Sequence, residues 1–428
     1  MKKPLIESAW EGYEDIVNLL IYMERDVNET DKFGRSALFV ACHLGRTNIA
    51  VQLLNNGAKH SLCEANETSP LHAACRGGYS KIVEALLEND ADISACDTNG
   101  YSPLLVASEA GHIKIVEKLL HVADQNNVNI FQHDNFDRSA VLIASINDRK
   151  EVVDLLLQKG AGLECDRLGL SPLLAACSVG KSDVVINLLE QKADISKIDN
   201  DGRSALFIAC EKEDNRIVEI LLQNKADVSH CDRHRQSPLF IACALGDDTN
   251  VRSLVKYEAD ISQCDENGRT PFFITCEQGH DTIMDMLLPK CDVEVLEKAD
   301  NKDCSPLYVA CKGGFIRIVK TLVDRGAQIN KRNKLQMTPL FVACREGHYD
   351  VIQYLVTAKA DLNLPAYNGQ TPLSVACDWG YADVVAYLIE NGADVNHRDT
   401  GHKTPLEIAE IRGHSNIVDI LNDIHYQK

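Results

Sequence analysis

Apolar residues in this 428-residue chain fall into two kinds of short run that alternate from one end to the other. The first follows a hydroxyl: a Ser or Thr, then Pro or Ala, then usually Leu. These steps begin at Ser36, Ser69, Ser102, Ser139, Ser171, Ser204, Ser237, Thr270, Ser305, Thr338, Thr371 and Thr404, mostly 33 residues apart. The hydroxyl suits a helix N-cap, and Pro in the first turn forfeits no hydrogen bond. Ala stands five residues after the cap in eleven of twelve copies, and Gly nine after it in ten, where a left-handed stop is expected. The second run reads Ile/Val-Val-x-x-Leu-Leu, as in Ile82, Val83, Leu86 and Leu87, which places one apolar stripe on a second helix. A polar tip such as Cys96-Asp97-Thr98-Asn99-Gly100 then predicts a hairpin-like loop. No single helix pair can hide its stripe, so the pairs must stack.

Pro4 stands 33 residues before Ala37 and Gly12 occupies the stop position, which adds a front copy and gives thirteen predicted pairs. The reading is a single all-α solenoid over residues 1–428, with residues 404–428 as its C-terminal capping copy, because Glu407, Glu410 and Asn422 replace core residues there. Irregular junctions are expected near 121–136, where successive steps are 37 and then 32 apart, and near 289–304, where the spacing is 35. Pro289 should end its helix early. Asp148 and Glu213 occupy the glycine position of their copies, where a strained or loosened helix end is expected.

Cap, Pro, Leu, Ala, Gly and the Leu pair recurring in register resemble the ankyrin repeat, whose signature is T-P-L-H-x-A in a unit of β-turn plus two helices. One departure is consistent: only His72 keeps the signature histidine, and residues such as Phe39, Leu105, Phe207 and Tyr308 replace it. Apolar packing between neighbouring helices should replace the polar tie. The resemblance implies a non-enzymatic scaffold or adaptor that binds a partner protein or peptide on a concave face of loop tips and first helices. The alternative is a targeting or inhibitory subunit of a phosphatase, ubiquitin ligase or kinase complex.

Charge narrows the partner. The net charge of −19 argues against general affinity for nucleic acid or anionic lipid, and no apolar run is long enough to span a membrane. No secretory signal is visible, so a cytoplasmic monomer is expected. Nine of sixteen cysteines share one position, six after the cap, which Ser108 and Ser145 fill in other copies. Smallness is therefore the requirement, and neither disulfide nor metal is expected, a reading that also favours a reducing compartment.

Other chemistry fails on register. Gly180-Lys181-Ser182 imitates a phosphate loop but follows a helix rather than a strand, and His230-Cys231-Asp232-Arg233-His234 crowds its donors too closely for one ion. No catalytic residue and no cofactor is expected. The candidate partner contacts are Phe33, Arg35, Tyr101, Phe136, Arg138, Arg203, Arg269, Arg345 and Trp379. Four of them, Arg35, Arg138, Arg203 and Arg269, share the position just before the cap, and an Arg fork suits an acidic or phosphorylated peptide. Asn28, Asn363 and Asn396 also resemble sites that an oxygen-dependent hydroxylase modifies in this family.

Overall fold

The computed structural model describes residues 4–427, with side chains as far as Asp423. Among them the chain forms 27 α-helices: thirteen pairs and one additional short helix. Among the described residues β-pairing amounts to two isolated bridges, Thr30 with Ser36 and Ile198 with Ser204. Two compact units result, one up to Lys212 together with Gln223–Ala226, the other Glu213–Leu222 together with Asp227 onward. Within each unit, first helices pack on first helices and second helices on second helices of the adjacent copies.

Each first helix begins where the hydroxyl stands. Ser36 accepts the Phe39 N–H, Thr338 that of Phe341, and the same bond closes at every one of the twelve steps. The first Leu of the second-helix pair is essentially inaccessible in all twelve copies, from Leu53 to Leu421. Burying that residue is what ties one copy to the next, and truncating such a Leu costs about 2–5 kcal/mol. Phe207, Phe240, Phe273 and Phe341 are also fully buried, so apolar packing does fill the histidine position.

The stop glycine answers two demands. Gly45 has φ 70°, and a Cβ there would lie 2.4 Å from the Tyr79 ring of the following copy. That ring is held between Gly45 and Gly77, whose own Cβ would approach it to 2.2 Å. Asp148 and Glu213 still adopt φ 61° and 56°, an unfavourable backbone for residues with a Cβ. Their helices, Ala140–Ile146 and Ala205–Glu211, are one residue short of the usual eight. Pro172–Ser178, which retains Gly180, is equally short, so shortening does not follow from losing glycine.

Both irregular junctions have a local cause. The second helix Ile113–Asn126 runs 14 residues instead of nine, so the extra residues continue the helix by about one turn. At the other, the helix stops at Leu287, Pro289 sits in a 3-10 turn over Leu288–Lys290, and the short helix Val293–Glu297 follows, capped by Asp292.

Candidate functional site

Ten of the twelve loop tips before the caps are built on one side chain; the tips at Glu64 and Ala366 close through backbone bonds instead. Asp31 Oδ1 accepts the N–H groups of Phe33 at 2.8 Å and Arg35 at 3.0 Å, folding the loop back on itself. Asp97, Asp134, Asp166, Asp199, Asp232, Asp265, Asp300, Asn333 and Asp399 repeat the pattern five residues before their caps. Neighbouring tips are joined by single backbone bonds, as from Ala65 N–H to Phe33 carbonyl at 2.9 Å and from Tyr367 N–H to Leu335 carbonyl at 2.9 Å.

The other oxygen of that carboxylate engages the arginine before the cap. Asp31 Oδ2 receives Arg35 Nε at 2.9 Å and Nη2 at 2.7 Å. Arg138 pairs with Asp134, Arg203 with Asp199 and Arg269 with Asp265, each carboxylate being almost wholly buried. Burial alone would raise the Asp31 carboxyl, yet the Arg35 side chain and the N–H groups of Phe33 and Arg35 hold it below the usual carboxylate value. Against the opposing effect of burial, the aspartates likewise raise the pKa of Arg138, Arg203 and Arg269. Arg203 and Arg269 meet a second acid as well, Glu211 at 3.0 Å and Glu277 at 3.3 Å. The four forks expected to be open to an incoming anion are thus engaged within their own copies. Their sequence signal is an acid four residues upstream at the same period.

Three of these arginines, Arg35, Arg138 and Arg269, also lie against an aromatic ring. Arg35 lies 4.8 Å from the Phe33 ring centroid and 5.7 Å from that of Trp10. Arg138 lies 5.3 Å from Phe136 and 5.7 Å from Tyr101, whose hydroxyl accepts from its Nη2 at 3.0 Å. Two aromatic–guanidinium clusters result, Trp10–Phe33–Arg35 and Tyr101–Phe136–Arg138. Trp10, Phe33, Phe136 and Trp379 are exposed, whereas Tyr101 is half-buried. Beside the first cluster a cavity of about 80 Å³ is lined by Trp10, Arg35, His43, Thr68 and Arg76. Arg345 lies apart from both clusters and pairs with its neighbour Glu346 at 2.7 Å.

The residue that follows the helix-stop position, glycine in most copies and Asp148 in one, also reaches the preceding copy. His112 Nε2 lies 3.2 Å from the Arg76 carbonyl, His348 Nε2 2.9 Å from that of Lys312, and Arg149 Nε 3.1 Å from that of Glu109. Of the three asparagines singled out, Asn28 Oδ1 accepts the Lys59 N–H at 2.7 Å and Asn363 Oδ1 the Asp394 N–H at 2.9 Å, each tying its loop to the next copy. Asn396 is exposed, and its backbone N–H donates to Asp394 at 2.9 Å.

Cysteine chemistry follows burial. The nine first-helix cysteines are inaccessible, and burial pushes the Cys243 thiol up to about 12 and that of Cys377 to about 12. Such thiols stay protonated and pack as small apolar groups. No group of three or more metal-ligating side chains occurs among the described residues. No helix among them is long and apolar enough to cross a membrane.

A family model described as ankyrin repeats (3 copies) matches overlapping windows at residues 5–97, 50–132, 89–168, 122–199, 142–232, 173–265, 239–333, 294–366, 331–399 and 366–428. Among solved structures, the human ASB11 ankyrin repeat domain is 29% identical with a TM-score of 0.48, the match covering 53% of this chain and 99% of that one. The ankyrin repeat domain of Bcl-3, described as a unique member of the IkappaB protein family, is 26% identical with a TM-score of 0.46, over 52% of this chain and 100% of that one. The matched windows run without a gap from residue 5 to residue 428, and the chain belongs to the ankyrin-repeat family, whose repeats are protein-interaction modules.

Proposed function

We propose that this protein is a non-enzymatic scaffold or adaptor that holds a partner protein or peptide on the face made by its loop tips and first helices. One observation carries the reading. In the twelve capped copies the repeated apolar positions are largely buried, while several large apolar residues that differ between copies stand in water at the loop tips and first-helix ends: Phe33 is 48% exposed, Phe136 59%, Leu335 56%, Tyr367 80% and Trp379 57%. Aromatic and arginine anchors on a rigid support are the residues that dominate protein interfaces. Arg35, Arg138, Arg203, Arg269 and Arg345 contribute as planes held in place by acids, Tyr101 as a support for Arg138. A cytoplasmic monomer is the form in which it works, consistent with thiols kept small and protonated.

Affinity capture from the native cell tests this. Changing Phe33, Phe136 and Trp379 together to Ala should cut partner recovery at least about tenfold, because each anchor is worth on the order of 2 kcal/mol. Undiminished recovery would place the binding surface elsewhere.

Asn28, Asn363 and Asn396 are proposed hydroxylation acceptors; Asn363 and Asn396 are both exposed, but the amide of Asn363, like that of Asn28, is held by the next copy, so Asn396 should react first. Peptide mass spectrometry of the native protein should find one added oxygen on Asn396 before the other two. An unmodified Asn396 beside a modified Asn28 would contradict that order.

A further inference from the structure

The acidic balance of the chain conceals a basic island. Residues 298–348 contain ten Lys or Arg against four Asp or Glu, a local net charge of +6 in a protein of −19. In this stretch the position before the cap, which holds a paired arginine in four other copies, carries Cys304 and then Met337. A groove of about 410 Å³ lies between these two copies, with Tyr308, Val309 and Met337 among its lining residues. Its size is that of a site for a side chain with its flanking backbone.

The charges around this groove differ from those at the arginine positions in one respect that decides their use. Its acids are already committed: Asp300 accepts the N–H groups of Lys302 and Cys304 at 2.9 and 2.8 Å, and Glu277 pairs with Arg269 at 3.3 Å. Its lysines are not. Lys302, Lys312 and Lys334 line the groove, all three are exposed, and none pairs with a carboxylate among the described residues. Lys334 Nζ donates to the Asn301 carbonyl at 2.6 Å, a contact that leaves its charge uncompensated. Leu335 and Tyr367, both exposed and joined through their backbones, continue an apolar surface on from Lys334.

We propose that this groove receives an extended acidic peptide segment of a partner protein, one apolar side chain entering against Tyr308, Val309 and Met337 while flanking carboxylates meet Lys302, Lys312 and Lys334. The proposal rests on the scaffold reading and gives it a ligand class. The unpaired lysines take the role that the paired arginines at the loop tips leave open. Lys supplies a mobile point charge, so the segment is selected by its acidity and its apolar anchor rather than by a fixed bidentate geometry.

Fluorescence anisotropy with the full chain tests it, using a labelled Glu-Glu-Asp-Leu-Glu-Asp-Glu peptide, its twin with Ala in place of Leu, and an oligothymidine of similar charge. The Leu peptide should bind tightest and weaken as salt rises from about 50 to about 300 mM. The combined variant Lys302→Glu, Lys312→Glu, Lys334→Glu should lose at least about tenfold in affinity with an unchanged circular dichroism spectrum. Met337→Gln, a residue the same position carries as Gln236 and Gln370, should abolish the preference for Leu over Ala. No binding of the Leu peptide, equal binding by the lysine variant, or tighter binding of the oligonucleotide would overturn the proposal. Capture from native extract with the wild type separates the two readings. Partners recovered equally by wild type and lysine variant would defeat the groove alone, whereas a wild type that recovers no partner would defeat the scaffold.

Discussion

Ser108 shows at the residue scale how narrow the demands of one position are. It fills the place that Cys holds in nine copies; it is fully buried, and its hydroxyl has no hydrogen-bond partner. Ser145, in the same place, donates to the Val141 carbonyl at 2.7 Å. A buried polar atom left unpaired costs about 1–3 kcal/mol. Ser108→Cys should therefore stabilise the protein by about 1 kcal/mol or more in reducing buffer, while Ser145→Cys, which gives up a bond, should gain little. Urea midpoints of the two variants compare them; equal shifts would mean that the missing bond at Ser108 carries no cost. The smallness of this position was legible in the sequence because Ser and Cys alternate there. The satisfaction of each hydroxyl was not, since it depends on a rotamer. The same limit applied to the arginines, whose partner lies four residues away yet engages them only because the loop folds back.

At the element scale the legible part is larger. The hydroxyl caps, the glycine stops and the helix ended by Pro289 all lie where local chemistry puts them, because each depends on residues within a few positions. The extra helix Val293–Glu297 and the added turn of Ile113–Asn126 were visible only as altered spacing, because a loop and a helix of the same length give the same register. The single retained histidine makes one first helix sensitive to pH. His72 lies within 2.9 Å of the Tyr101 carbonyl through Nε2 and 3.2 Å of the Ser69 N–H through Nδ1, and it is fully buried. Burial lowers its pKa below 6.5, and the raising effect of the Tyr101 carbonyl is smaller. The unfolded chain then binds the proton more readily than the folded one. His72 thus contributes stability that is complete above about pH 6.5 and declines as pH falls from there toward the depressed folded value. His72→Leu, matching Leu105 and Leu142, should remove that decline. Denaturation at pH 8 and pH 5 would show the wild type losing more stability than the variant on acidification, and parallel losses would refute the assignment.

At the scale of the whole molecule, a fixed interior carries a variable exterior. Thirteen helix pairs bury nearly the same residues copy after copy, so the period alone identified the family. What distinguishes this chain is where charge and rings fall on the exposed positions. That was only partly legible, since composition averages a +6 stretch into a −19 total and a period directs attention to what repeats. The account's central claim is that partners are held by loop tips and first helices while second helices hold the copies together. Amide hydrogen exchange of the full chain, free and bound to a captured partner, tests it most directly. The account predicts added protection at loop tips and first-helix ends, including the stretch 333–346, with second helices such as Ile316–Asp324 unchanged. Protection confined to the second helices would contradict it.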